Sequence, residues 1–178
     1  VFNPASPLDD IPSVPAVTAF GEWQELANDM RSGDVGVMMV RGADPFYGLP
    51  ASLGFREASY DVPFIFSFSN FMDDTTAMAD LVLPEHNYLE DWGSDSPDPG
   101  PGYELVGFQQ PVVNPLHDLD PLSFPDVLLT MAQELGRESQ LPWSNYKAML
   151  REGSDALFAL NRGSIEAASA DEFWNHLL

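Results

Sequence analysis

The chain has 178 residues, 44% of them hydrophobic, no cysteine, and a formal charge of −21. That length suffices for one ordinary domain with a proper core, and no apolar run approaches the ~20 residues of a membrane span, so direct membrane insertion is not expected. The charge repels phosphate backbones and anionic lipid, which argues against nucleic-acid binding. The absence of thiols removes disulfides, thiol catalysis, iron–sulfur ligation and cysteine-type zinc sites from this stretch.

The 28 carboxylates face six arginines and a single lysine, Lys147, and the interval from Arg56 to Arg137 holds 15 carboxylates and no basic residue. Such a surface suits a cationic partner, a basic cytochrome for example, or general adaptation to high salt. The chain opens Val-Phe-Asn without a starting methionine, a basic n-region or an apolar h-region, so the expectation is a processed protein or a piece of a longer one.

Residues 1–17 carry Pro4, Pro7, Pro12 and Pro15 and read as an extended connector. Thr18 is placed to cap a helix through Arg31, with Phe20, Trp23, Leu26, Ala27 and Met30 on one face. Val35 to Val40 (VGVMMV) is the continuous apolar run of a strand buried on both faces, and it breaks at Arg41-Gly42-Ala43-Asp44-Pro45. A short helix over 50–59, a strand over Val62 to Phe68, a helical turn from Asp73 or Asp74 to Met78, and a strand over Leu81 to Leu83 follow. This alternation implies an α/β fold with a parallel sheet flanked by helices. A parallel sheet of so few strands needs both of its faces covered.

The breaker-rich interval from Asp95 to Gly102 reads as a loop, and Tyr103 to Phe108 as an outlying strand. Ser123 to Gly136 is a helix: Ser123 caps it, Pro125 suits its first turn, and Val127, Leu128, Met131, Ala132 and Leu135 form a face. Residues 142–178 read as helical, with breaks around Gly153 and 161–163. From Ala170 onward, Phe173, Trp174, Leu177 and Leu178 make an apolar face that is expected to need a partner outside the chain. The resulting division is 1–17 connector, 18–136 α/β segment, and 137–178 helical extension.

Chemistry-bearing residues are sparse. His86, His117 and His176 have no metal-ligand spacing around them. Glu85, Glu90 and Asp91, in the loop after the third strand, have no nucleophile and no positive charge nearby, and read as carboxylates that cap backbone amides. There is no GxSxG, Walker loop or GxGxxG, and Gly100 and Gly102 sit among prolines and carboxylates. Two strand ends remain, Arg41 to Pro45 and Asp73 to Thr76, where a doubly wound sheet places ligands. On the residues alone, a Gly-Pro turn and an N-cap are the favoured explanation of both.

Three stretches, "RGADPFYGLP", "VPFIFSFSNFMDDTTAMADLVLPEHNYLEDWGS" and "FQQPVVNPLHDLDPLSFPDVLLTMAQELG", occur in the order seen in the molybdopterin oxidoreductases, which this chain resembles over about residues 35–136. There a strand leads to G-x-N-P, the next to D-E-T-A-x-x-A-D-x-V-L-P, and then to an E-x-W-G loop. The wording "LEDWGSDSPDPGPG" with "QQPVV" is similar to the large iron–sulfur subunit of alternative complex III, a membrane quinol-oxidising assembly.

The resemblance implies an internal segment of a larger chain, corresponding to the domain that holds one guanine dinucleotide of the molybdenum cofactor in catalytic relatives. Position by position, Gly42, Asp44 and Pro45 match the first cofactor loop, and Asp74, Thr75, Thr76 and Ala77 the second. Two departures stand out. Asp44 replaces an asparagine, exchanging an amide that donates for a carboxylate that does not. The Glu-Thr of the second motif is Thr75-Thr76, or Asp74-Thr75 with one residue inserted.

The alternative complex III branch lacks molybdopterin, so the resemblance implies vestigial cofactor loops, no redox centre in this segment, and iron–sulfur clusters elsewhere in the parent chain. It also implies partner subunits that include a cytochrome, and a peripheral position on the periplasmic side of the bacterial inner membrane. A working molybdopterin enzyme and a free acidic interaction module are the alternatives.

Overall fold

A computed structural model describes residues 18–95, 105–115 and 122–178. The expected connector over 1–17, most of the breaker loop, the start of the outlying strand and His117 lie outside the described residues. The described residues form two compact units, one ending at Glu85 and one running from His86 to Leu178.

In the first unit, helix α1 spans Phe20–Ser32 and is preceded by Ala19 rather than capped by Thr18. Alanine offers no acceptor, so the Glu22 carboxylate reaches back to the Ala19 amide at 2.7 Å. Gly33, at φ 76°, ends the helix, and the Asp34 amide donates to the Asp29 carbonyl in a Schellman closure. Strands β1 (Met38–Val40), β2 (Ile65–Ser67) and β3 (Leu81–Val82) form a parallel sheet in that order, with Met38 opposite Ile65 and Phe66 opposite Leu81. The α/β fold with a parallel sheet flanked by helices is therefore present. Its strands are shorter than the apolar runs, and Pro63 and Pro84, which cannot donate to a ladder, lie just outside β2 and β3.

Helix α2 (Pro45–Gly48) was not legible as an element, although Asp44 followed by Pro45 is a cap followed by a first-turn proline. The expected helix over 50–59 is instead a 3-10 turn, Ala51–Leu53, and helix α3, Phe55–Ser59. Gly54 divides them at φ 62°. The Arg31 guanidinium donates there to the carbonyls of Leu53 at 3.1 Å and Gly54 at 2.8 Å, tying α1 to the turn. The core consists of Ala27, Met30, Leu53, Phe55, Ala58, Val62 and Ile65, with Trp23 edge-on to Phe55. Ala27 and Ala58 are small enough to let α1 and α3 approach closely.

In the second unit, β4 (Gly93–Asp95) pairs antiparallel with β5 (Gly107–Gln109), so Asp95 closes a strand rather than opening the loop. Ser123 caps α4 (Phe124–Glu134) as expected, accepting from the Asp126 amide at 3.2 Å. Asn145 caps α5 (Tyr146–Ala159) and Ser169 caps α6 (Ala170–Leu177). The chain turns at Asn161 and Gly163, both at positive φ, whereas Gly153 lies inside α5 and breaks nothing. The apolar face of α6 does not want for a partner: Phe173 packs on Phe158, and Trp174 stacks on Trp92 with Phe108 edge-on. Both residues are buried within this chain.

Candidate functional site

The two strand-end loops matched to cofactor loops come together at Asp44. After β1 the chain turns at Gly42, φ 64°, where an added Cβ would meet no atom within 4 Å; the glycine serves the backbone conformation, not a close approach. This turn sets the Asp44 carboxylate against the second loop. Its Oδ1 accepts from the Thr75 hydroxyl at 2.6 Å, the Thr75 amide at 3.1 Å and the Tyr47 amide at 3.3 Å; its Oδ2 accepts from the Asp74 amide at 3.3 Å. The Thr75 oxygen in turn accepts from the Phe46 amide at 3.1 Å. Burial raises the pKa of Asp44, but the Thr75 hydroxyl and the amides of Tyr47, Asp74 and Thr75 outweigh it and hold the carboxyl below its ordinary value.

The second loop is knotted on itself. Asp73, not Asp74, ties down the start of the 3-10 turn Thr76–Met78, whose N-cap position is Thr75: it accepts from the Thr76 amide at 2.7 Å through one oxygen and from the Ser69 hydroxyl at 3.2 Å through the other. The Thr76 and Ser67 hydroxyls share a buried hydrogen bond of 2.7 Å. Ser67 was missed in the sequence, where a serine within FIFSF reads only as a strand residue. Thr75 and Thr76 are buried, Asp44 and Pro45 are half-buried, and Gly42 and Asp74 are exposed.

Arg41 does not face these loops as a free cation. Its Nε donates to Glu85 at 2.6 Å. This corrects the expectation that Glu85 has no positive charge nearby. Glu90 and Asp91 do meet backbone amides: Glu90 accepts from Asn87 at 3.0 Å and Asp91 from Trp92 at 2.8 Å. Asp91 Oδ1 also lies 3.7 Å from His86 Nδ1, within ion-pair reach but too long for a hydrogen bond. Burial raises the Asp91 pKa. The Trp92 amide and His86 oppose that and Asp126 adds to it, so the net shift is upward.

The guanine dinucleotide implied by the resemblance is a pyrophosphate ligand that needs cations or free N–H and O–H donors. Here the Asp74 and Thr75 amides and the Thr75 hydroxyl already donate to Asp44, the Thr76 hydroxyl is buried on Ser67, and the arginine beside them is ion-paired. This donor set does not fit an anionic dinucleotide. Among the described residues, no group of three or more histidine, aspartate or glutamate side chains could hold a metal ion.

No protein-family model matches the chain. It is 32% identical over 114 residues to the molybdopterin-binding-like subunit of menaquinone reductase from Nitratidesulfovibrio vulgaris (strain Hildenborough), across 64% of this chain and 16% of that protein. It is 29% identical over 101 residues to a tetrathionate reductase subunit from Salmonella typhimurium, across 52% of this chain and 10% of that protein. The chain thus spans a small fraction of the length of both relatives. The likenesses support the molybdopterin oxidoreductase family at large, and part of a reductase subunit of that type, without singling out a branch.

Proposed function

We propose, from the premise of this family likeness, that the chain is a structural, non-catalytic part of a respiratory quinol-oxidising complex of the alternative complex III kind. Electrons would pass through iron–sulfur clusters held elsewhere in the parent polypeptide. The observation that carries this reading is Asp44: a carboxylate stands in the place of an amide and takes up the donors of the second loop. Gly42, Asp44, Pro45, Asp74, Thr75 and Thr76 are then a vestigial cofactor site turned into a clamp between two loops.

The named relatives are both subunits, which supports partner subunits for this chain, and a cytochrome subunit is the partner we propose. Among the described residues, no helix is long and apolar enough to cross a membrane. A peripheral place on the periplasmic side of the bacterial inner membrane is the location that goes with this reading.

Metal and nucleotide analysis of the purified assembly that contains this chain tests it. Iron without molybdenum, and no guanine nucleotide released on acid treatment, is the expected result. Molybdenum and guanine nucleotide in stoichiometric amounts would establish the competing reading, a cofactor-binding domain of a working molybdopterin enzyme.

A further inference from the structure

The core of the first unit covers one face of the parallel sheet. It takes Ile65 from β2 and packs Met38 of β1 against it. Side chains of a strand alternate between faces, and partners in register share one. The pairing of Met39 with Phe66, and of Phe66 with Leu81, therefore sets these three side chains in a row across β1, β2 and β3 on the opposite face. Phe64 joins the row, its ring 4.8 Å from that of Phe66 between centroids. None of the four belongs to the core or packs against it. Met39 is 38% exposed, Phe64 37% and Leu81 38%, and Phe66 is half-buried.

An all-parallel sheet has both faces covered, because the crossovers that join its strands lay helices on them. The missing cover is of a permanent kind. The row holds no charged residue, in a chain with 28 carboxylates, and a wholly apolar face belongs to obligate contacts rather than to passing ones. A second copy of the chain would set another −21 against the first. The two relatives are several times longer, since the chain covers 16% of one and 10% of the other, so a parent of that length has other segments to offer. We propose that Met39, Phe64, Phe66 and Leu81 seat the apolar side of an amphipathic helix contributed by the parent polypeptide from outside residues 1–178. The proposal rests on the chain being a piece of a longer polypeptide, and not on what that polypeptide oxidises or which cofactor it holds.

Hydroxyl-radical footprinting read by mass spectrometry tests it on three samples: the 178-residue chain, the parent polypeptide freed of other subunits, and the complete assembly. Methionine is readily oxidised where it is reached, and Met30, buried in the core, is the internal reference. In the chain alone, Met39 should oxidise several-fold faster than Met30, at a rate that dilution leaves unchanged. In the parent polypeptide, Met39, Phe64 and Leu81 should slow several-fold and Met39 should approach Met30. Met39 as slow as Met30 in the chain alone would mean that the face is covered from within. Oxidation of Met39 that quickens on dilution of the chain would make the cover a second copy. Protection that appears only in the complete assembly would make it a separate subunit. Each of these results, or equal rates in all three samples, would overturn the proposal.

Discussion

The unit ending at Glu85 and the unit beginning at His86 use the same scarce cations for different purposes. In the first, the core is largely aliphatic around a single phenylalanine, Phe55, and two arginines serve polar groups: Arg31 the carbonyls of Leu53 and Gly54, Arg41 the carboxylate of Glu85. In the second, the centre is a pair of indoles, Trp92 stacked on Trp174 with centroids 5.8 Å apart. There the cations serve ring faces. Lys147 Nζ lies 4.6 Å from the Trp92 centroid, and the Arg151 guanidinium 5.6 Å from that of Trp174. Arg151 also reaches Asp155 at 3.3 Å and Asp171 at 2.5 Å, so one side chain links α5 to α6. In a chain this acidic, Arg31, Arg41, Lys147 and Arg151 are each a structural tie, and the partner tells which kind of packing it completes.

The contrast is broken most sharply by Trp174→Ala, which removes the stack, the Phe108 edge contact and the seat of Arg151 together. A loss of about 3–5 kcal/mol is expected. Hydrogen exchange should locate it in α5 and α6 while β1 and β2 keep their protection; uniform loss across both units would erase the distinction between them.

Next in size is Thr75→Val in the first unit. The valine keeps the shape but deprives Asp44 of its shortest hydrogen bond and the Phe46 amide of its acceptor, at a cost of about 2–3 kcal/mol by urea unfolding. A variant as stable as the parent would show that the knot between the loops contributes nothing.

Gly54→Ala should follow at about 1–2 kcal/mol, since the residue stands at φ 62° and its new Cβ would fall 2.6 Å from Arg31 Nη2. Arg31→Met should make that substitution milder. If it does not, the backbone conformation alone sets the cost.

The smallest effect separates the units by sign. Asp44 has a lowered pKa, so the fold binds fewer protons there than the unfolded chain. Its contribution is present above the unfolded value, about 3.9, and is lost as pH falls through the folded value. Asp91 has a raised pKa, so its contribution is present below the unfolded value and is lost as pH rises through the folded one. Asp44→Asn should therefore remove a gain in stability with rising pH below about pH 4, and Asp91→Asn a decline above it. Equal slopes in both variants would contradict the assignment.

Much of the first unit was legible in the sequence because its signals are local. VGVMMV and VPFIFSF mark strands, and Gly33 marks the end of α1. Strand lengths were not legible, because they depend on which residues of neighbouring strands meet, a register that no single apolar run encodes. Asp44, Thr75 and their neighbours were identified as candidates from the resemblance. That they bond to each other depends on residues 31 apart in the chain, which no local pattern encodes. In the second unit the cap Ser123 and the break at 161–163 were visible, but the cover of Phe173 and Trp174 was not. It comes from Trp92 and Phe158, whose spacing to α6 carries no periodic signal.

The Asp44 carboxylate is an anion tethered to its own receptor. A side chain held within hydrogen-bond reach of the Asp74 and Thr75 amides acts at an effective concentration of at least about 1 mM, and no dilution lowers it. A free anion competing for those amides must first displace a ligand that never diffuses away. With that carboxylate in place, a change in either loop is felt first in how well the two loops hold each other.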